Sequence, residues 1–237
     1  MLKYTHMKKE EYIHNKKSFF NDVIKDVIFG LEDGLVSTFG AILGVATATG
    51  DSKTILLTGS IVIAVESVSM GVGSFIASRS EKSINERKLK EEKEEVENFI
   101  EYEQKEMEEL FIIDGWPKEL AKKIAEISAK DKNLMLKEMA YRELKIFPEL
   151  QSSPLKNGIA MWISYILGGI VPLSFYLLLP VQSAIWLSIA GTLITLFIVG
   201  AATTKFSKRS WIKAGGEMVA LASLAAVFGY VIGQLIY

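Results

Sequence analysis

The chain has 237 residues, of which 49% are hydrophobic and 23% are charged, and its formal net charge is −1. It contains no cysteine, so disulfides and thiolate metal sites are excluded. No basic patch with interleaved aromatic residues points to nucleic acid. The charged residues are concentrated in one central stretch, whereas several long stretches carry almost none. This segregation predicts an all-α membrane protein with a polar insert.

The N-terminal segment, residues 1–25, combines six lysines with aromatic residues and shows no signal-peptide pattern. Tyr12, Phe19 and Phe20 lie among these lysines. A basic helix with an apolar face binds at a membrane surface. We therefore predict a basic amphipathic helix that lies on the inner membrane face.

Five segments have the roughly 20 mostly apolar residues that a helix needs to cross a bilayer. These predicted spans are residues 27–48, 55–78, 159–179, 184–204 and 214–236. Glu32 and Asp33 interrupt the first span, and Glu66 lies near the middle of the second. We expect spans 1 and 2 within residues 26–78 and spans 3 to 5 within residues 157–237.

The loop charges predict an orientation, because lysine and arginine in short loops stay on the cytoplasmic side. These residues are frequent before span 1 and between spans 4 and 5, and they are rare in the other short connections. With five spans, the N-terminus and the insert are expected in the cytoplasm and the C-terminus outside. The absence of a long targeting extension favours the cell membrane of a prokaryote. In a eukaryote, an organelle membrane is expected.

The predicted insert, residues 79–156, is rich in helix-forming residues. The sequence Asp114-Gly115-Trp116-Pro117 predicts a turn, because glycine and proline interrupt helices. Before this turn we expect one long helix or two shorter ones, continuing from span 2. After it we expect two helices, near residues 118–128 and 132–146.

Ten glutamates lie between residues 91 and 109. On a continuous helix with about 100° per residue, four of them share an arc of roughly 80°: Glu92, Glu95, Glu103 and Glu106. The apolar residues that point in nearly the same direction are Val96, Phe99 and Leu110. A solvated helix face is one explanation. Carboxylates among apolar side chains are costly without a cation, however, and a divalent ion bridged by glutamates three residues apart would supply one.

Carboxylate oxygens suit Mg²⁺, Ca²⁺, Mn²⁺ and Fe²⁺. Met139 lies one turn before Glu143 in the last predicted insert helix. Its thioether would shift the preference towards softer transition metals. The alternative for Met139 is simple packing in a core.

Two carboxylates inside the predicted spans are a stronger indication of ion transport, because such groups usually mark a path for ions or protons. Asp33 lies in span 1 and Glu66 in span 2, with Met70 one turn after Glu66 on the same face. Small residues crowd span 2 and permit close helix approach or a polar lining. A protonated Glu66 that hydrogen-bonds a neighbouring helix is the alternative.

Several short motifs together resemble the vacuolar iron transporter family of iron and manganese carriers. The motifs are Gly30-Leu31-Glu32-Asp33-Gly34-Leu35, Ser69-Met70-Gly71-Val72-Gly73, Ser80-Glu81, Asn85-Glu86-Arg87, Glu91-Glu92-Lys93-Glu94-Glu95 and Gly168-Gly169-Ile170-Val171-Pro172-Leu173. The resemblance covers nearly the whole chain after Asp26.

The resemblance implies a five-helix protomer that forms a homodimer, with the transport path between the two copies. It implies that Asp33 and Met70 line this path. The insert positions that it implies as metal ligands are Glu92, Glu95, Glu103, Glu106, Met139 and Glu143. The chain departs from the plant-type pattern at Val62, where an acid is expected one turn before Glu66. It departs again at Ala140, where a second methionine is expected.

We therefore predict a transporter, not an enzyme, that exports Fe²⁺ from the cytoplasm in exchange for protons. Fe²⁺ or Mn²⁺ is the expected substrate and insert ligand, and no permanently bound cofactor is expected. The expected partners are divalent metal ions, protons, membrane lipid and a second copy of the chain.

Three alternatives remain. One is a manganese or broad divalent-cation exporter of the same fold, and another is a membrane-anchored metal sensor or scaffold. The third, a di-iron oxidase, is disfavoured because helical di-iron sites usually include histidines. The two histidines, His6 and His14, lie outside the insert.

Overall fold

The computed structural model describes residues 19–147, 153–207 and 209–236, and no strand occurs among them. The helices are α1 (Phe19–Thr49), α2 (Ser52–Asn98), α3 (Ile100–Ile113), α4 (Lys118–Ser128), α5 (Lys132–Arg142), α6 (Pro154–Leu178), α7 (Val181–Ser207) and α8 (Trp211–Ile236). The chain forms two compact units. Residues up to Phe75 and from Pro154 onward form the first, called the membrane unit here, and Ile76–Ser153 form the second, called the insert.

Five helices are long and apolar enough to cross a membrane, namely α1, α2, α6, α7 and α8. They confirm the five predicted spans. Many large apolar side chains on these helices face outward, and Leu178, Trp186 and Leu235 remain 81%, 73% and 79% exposed. An apolar surface of this extent would be unfavourable in water and is suited to lipid. The surface helix predicted for residues 1–25 lies mostly outside the described residues, and from Phe19 the chain already belongs to α1.

Helix α1 is the centre of the membrane unit, because it packs against α6 over most of its length and also contacts α7 and α8. Glycines allow this close approach. A Cβ atom on Gly34 would overlap the backbone carbonyl of Tyr165, and one on Gly168 would overlap that of Leu31. Helix backbones approach this closely only at small residues. The glycine motifs of the first and third spans therefore meet each other and fix Asp33 beside α6.

The connection between α1 and α2 is a tight turn. Gly50 takes a φ of +62°, a conformation that glycine adopts without strain. Asp51 then caps α2, since its Oδ2 accepts hydrogen bonds from the Thr54 N–H at 2.9 Å and the Thr54 hydroxyl at 2.6 Å. The short turn holds the first two spans antiparallel.

The insert begins within α2, and the chain breaks between α2 and α3 at Phe99, whose φ and ψ are −131° and 36°. Two helices therefore precede the Asp114 turn. The Nζ of Lys132 donates to the Glu97 carbonyl at 3.0 Å and satisfies one of the free carbonyls at the end of α2. The assumption of a continuous helix over residues 91–109 is wrong. Phe99 is 57% exposed and does not join the apolar neighbours of the glutamates.

Helices α3, α4 and α5 enclose an apolar core with the end of α2. The core residues are Val96, Met107, Phe111, Ala121, Ala125, Met135 and Met139. Helix α5 starts at a capping residue, Asp131, whose carboxylate accepts from the Asn133 N–H at 2.9 Å. It ends at Arg142, earlier than the predicted end at Ile146, because Lys145 takes a left-handed φ of 55° that no right-handed helix continues.

Replacing Gly34 by alanine should lower the thermal stability of the detergent-purified protein. The added Cβ would overlap the Tyr165 carbonyl and push α1 from α6, and overpacking of this kind costs about 1–3 kcal/mol. Gly216→Ala is the matched control, because nothing lies within 4 Å of a Cβ at that position. Equal melting temperatures for the two variants would contradict the close packing of α1 on α6.

Candidate metal centre

Three glutamates from separate segments of the insert meet at one point. Glu92 lies in α2, Glu103 in α3 and Glu143 directly after α5. Each offers one carboxylate oxygen, and the three oxygens lie within 4.8 Å of one another. Glu92 and Glu103 are buried, with exposed fractions of 2% and 5%, whereas Glu143 reaches the surface. We call this group the glutamate triad.

Helical periodicity explains why these three glutamates converge. Each lies four residues before or after a residue of the insert core, and such positions share one helix face. The pairs are Glu92 with Val96, Glu103 with Met107, and Glu143 with Met139. The faces that bury the core therefore carry the triad to the same place.

The ionised triad is electrostatically unfavourable without a cation. Burial raises the pKa of Glu92 to about 8, and repulsion from Glu143 and Glu103 adds to this. Burial raises the pKa of Glu103 to about 6, and repulsion from Glu106 adds to it. The pKa of Glu106 is raised too, by burial and by Glu143 and Glu95. Every neighbouring charge that shifts the pKa of one of these three glutamates is another carboxylate.

Two buried oxygens of the triad are available to a divalent cation. Oε1 of Glu92 and Oε2 of Glu103 are buried and have no hydrogen-bond partner within the described part of the chain. Such oxygens are costly to bury unless a cation or donor meets them. An octahedral ion with metal–oxygen bonds of about 2.1 Å holds opposite ligands about 4.2 Å apart. The 4.8 Å limit on the triad's oxygens is larger than this separation, so oxygens at that limit would have to move closer together to share one ion.

The other predicted insert ligands are not part of the triad. Glu95 and Glu106 are exposed, and both repel the triad electrostatically. Met139 is fully buried and packs in the insert core with Met107 and Met135. The structure thus shows the packing role for Met139, and its role as a metal ligand stays a prediction.

The predicted acids of the membrane unit lie on neighbouring helices and interact electrostatically. Asp33 in α1 is partly buried, and Glu66 in α2 is exposed on the surface of the isolated protomer. The two carboxylates are close enough to repel each other. Met70 lies one turn from Glu66 on α2 and is partly buried. The structure therefore brings the predicted intramembrane residues to adjacent faces of α1 and α2.

Two further polar residues at this site were missed by sequence reasoning. Tyr165 is fully buried, its hydroxyl donates to Ser37 Oγ at 3.1 Å, and both Asp33 and Glu66 act on it electrostatically. Asp26 is 5% exposed and accepts a 2.6 Å hydrogen bond from the Ser74 hydroxyl.

Helical spacing could have suggested both. Asp26 precedes Asp33 by seven residues on α1, and Ser74 follows Met70 by four on α2. Tyr165 shares a face of α6 with Gly168 and Gly169.

The five spans and the paired carboxylates define a helical multi-pass membrane protein with candidate cation sites in both units. The chain belongs to the VIT family, whose sequence profile matches residues 24–234. It is 29% identical over 225 residues to vacuolar iron transporter 1 of Tulipa gesneriana, covering 94% of this chain and 91% of that protein. Vacuolar iron transporter 1 of Arabidopsis thaliana is 27% identical over 225 residues, covering 94% and 90%.

A third relative, the vacuolar iron transporter of Toxoplasma gondii, is 26% identical over 236 residues and covers 95% of this chain and 78% of its own length. These comparisons confirm the family that the motifs indicate. Members of this family are transporters, so the chain is a transporter and not an enzyme.

Glu92→Gln should stabilise the metal-free insert at alkaline pH. The folded insert favours the protonated forms of Glu92 and Glu103, whereas the unfolded chain restores a pKa of about 4.3. This contribution to stability is complete below the unfolded pKa and is lost as pH rises through about 6 and then about 8. In chelator, the Glu92→Gln insert should therefore unfold at a higher temperature than wild type near pH 9, and the gap should close near pH 5.

The measurement is thermal unfolding of the full chain, followed by the fluorescence of Trp116 in a background where Trp162, Trp186 and Trp211 are phenylalanine. The control is Glu101→Gln, an exposed position on α3. A gap of the same size at both pH values would show that repulsion within the triad does not affect folding.

Proposed function

We propose that this protein exports Fe²⁺ from the cytoplasm in exchange for protons. The observation that carries the proposal is the Asp33–Glu66 pair on the apolar helices of the membrane unit. Carboxylates in the hydrocarbon region are costly and usually mark ion or proton paths. The names of the relatives, vacuolar iron transporters, support iron as the substrate.

Exchange of metal for protons follows from the chemistry of this pair. Two carboxylates in a nonpolar region are tolerated when a proton or a cation neutralises their charge. The proton and the metal cation compete for the same carboxylate oxygen atoms. Metal entering from one side would therefore displace protons, and protons entering from the other side would release the metal. Met70 adds a soft sulfur ligand beside Glu66, which favours a transition metal over Mg²⁺ or Ca²⁺.

The insert gathers the metal in this proposal. Its triad collects Fe²⁺ from dilute solution, with Glu95 and Glu106 adding negative charge at its edge. Negative charges around a site raise the local concentration of cations and speed their arrival. The concentration of Fe²⁺ available to the membrane path is then higher than that in the bulk solution.

Charges at the helix ends support the export direction. Lys205 near the end of α7, Arg209 between the helices and Lys213 at the start of α8 are all exposed, and Arg209 pairs with Glu217 at 2.7 Å. Near the α1–α2 turn the one basic residue is Lys53, at the start of α2. The positive-inside rule then places the N-terminus and the insert in the cytoplasm and the C-terminus outside. This direction is the same in a prokaryotic cell membrane and in an organelle membrane, because the cytoplasm faces the basic loops in both.

A homodimer is part of the proposal. Glu66 is exposed on α2 in the single protomer, and a Cβ on Gly73 would meet nothing within 4 Å. A carboxylate is costly when it faces lipid. A second copy packed on this face of α2 would shield Glu66 and place two sets of Asp33, Glu66 and Met70 around one path.

A manganese or broader divalent-cation exporter is the second candidate. Ala140 stands beside Met139 in α5, and an alanine offers no sulfur ligand. A site formed mainly by glutamate oxygens suits Mn²⁺ as well as Fe²⁺. A membrane-anchored metal sensor or scaffold is less well supported, because it would not need the costly acids of the membrane unit.

A proton gradient, acidic inside, should drive Fe²⁺ uptake into liposomes that contain the purified protein. Asp33→Asn should abolish this uptake, because the amide keeps the side-chain shape but cannot exchange a proton for a cation. Glu217→Gln is the control, since it removes an acid that pairs with Arg209 at the surface. Transport of Mn²⁺ but not of Fe²⁺ would show that manganese, and not iron, is the substrate. Transport of neither, with metal still bound by the insert, would favour the sensor.

Combining Glu92→Gln with Glu103→Gln should lower uptake at low Fe²⁺ and restore it at saturating Fe²⁺. We expect the half-saturating concentration to rise about tenfold, equivalent to about 1.4 kcal/mol. The control is the same measurement on a protein that combines Glu91→Gln with Glu101→Gln, since both of these glutamates are exposed. A loss of maximal rate with no change in half-saturation would argue against a metal-gathering insert.

A further inference from the structure

Arg142, the last residue of α5, joins the end of α5 to the end of α3. Its Nη1 donates to Oδ2 of Asp114 at 2.5 Å, and its Nε lies 3.4 Å from Oε2 of Glu138. The guanidinium also stacks on the Phe111 ring, with its Cζ 3.6 Å from the ring centroid. Only arginine combines a planar face for stacking with several fixed donors.

The partners of Arg142 lie on a well-packed part of the insert. Phe111 is 3% exposed, belongs to the insert core and makes an edge-to-face contact with Trp116 at 5.9 Å. Asp114 directly follows α3, in the turn where Gly115 takes a φ of +91°. Arg142 thus attaches the end of α5 to the end of α3.

Glu143 is the residue directly after Arg142. Its N–H still donates to the Met139 carbonyl at 2.9 Å, so its backbone follows the last turn of α5. Two residues later Lys145 leaves the helical conformation. The last turn of a short helix frays readily unless side chains hold it. The carboxylate of Glu143 nevertheless reaches the triad, where its oxygen lies within 4.8 Å of those of Glu92 and Glu103.

The positive charge of Arg142 does not neutralise the triad. Its charge is matched by Asp114 and Glu138. The neighbouring charges that act on Glu92 and Glu103 are all carboxylates. A cation directed at the triad would instead compete with metal for the same oxygens.

We propose that Arg142 is the positioning residue of the metal-gathering site: by anchoring α5 to Asp114 and Phe111, it delivers the carboxylate of Glu143 to Glu92 and Glu103. This inference rests on the metal-gathering role proposed above. Arg142 contacts no metal and acts through Glu143.

The test is Mn²⁺ binding to the full-length protein in detergent, with unbound Mn²⁺ measured by electron paramagnetic resonance. Arg142→Gln should weaken binding about as much as Glu143→Gln. In the Glu143→Gln background, Arg142→Gln should cause no further loss, because the group that it positions is absent. Arg142→Lys should restore part of the affinity, since it keeps the charge beside Asp114 but not the planar stack on Phe111. Arg87→Gln, at an exposed pair with Glu91, is the matched control.

Asp114→Asn provides a milder second variant, because it leaves the contacts of Arg142 with Glu138 and Phe111. Its effect should also vanish when Glu143 is glutamine. Wild-type affinity in Arg142→Gln would overturn the proposal, and so would losses of equal size with and without the Glu143 carboxylate. If wild type binds no Mn²⁺, or if Glu92→Gln leaves its binding unchanged, the metal-gathering role itself fails and this inference fails with it.

Discussion

Repulsion between carboxylates that packing holds together is the constraint on which both units of this protein depend. In the insert, core residues one turn away hold Glu92, Glu103 and Glu143 near one another. In the membrane unit, the close contact of Gly34 with Tyr165 holds α1 against α6, and Glu66 acts electrostatically on the neighbouring Asp33. Hydrophobic packing thus offsets an electrostatic cost that a proton or a cation would relieve. In the proposed function, the proton and the cation compete for these carboxylate oxygens.

The sequence predicts the membrane spans and the Asp114 turn well, because both have strong local signals. About 20 apolar residues in a row have few explanations other than a span, and glycine followed closely by proline interrupts helices. The break at Phe99 has no such signal, since it contains neither glycine nor proline. The arc argument nevertheless included Glu92 and Glu103, each of which lies one turn from a buried residue on its own helix. Glu95 and Glu106, which it also selected, are exposed. The periodicity within each helix survives the break between them.

The remaining site residues depend on contacts between distant parts of the chain. Ser74 reaches Asp26 from another helix, and Tyr165 reaches the acids of α1 and α2 from α6. The attachment of Arg142 to Asp114 likewise joins α5 to the end of α3. Periodicity identifies the face on which each residue lies, but it does not identify the partner across the interface. That information comes only from the packing of one helix on another.

The origin of the triad in three separate segments has a consequence for the mechanics of the insert. The chain has no cysteine and therefore no disulfide. An ion held by Glu92, Glu103 and Glu143 would cross-link three segments of the folded insert and would stabilise the folded state, because the unfolded chain has no such site. Unlike a disulfide, this cross-link would open whenever the ion departs. The insert would then be rigid when metal is plentiful and loose when it is scarce, so its own order would report the metal supply of the compartment that it faces.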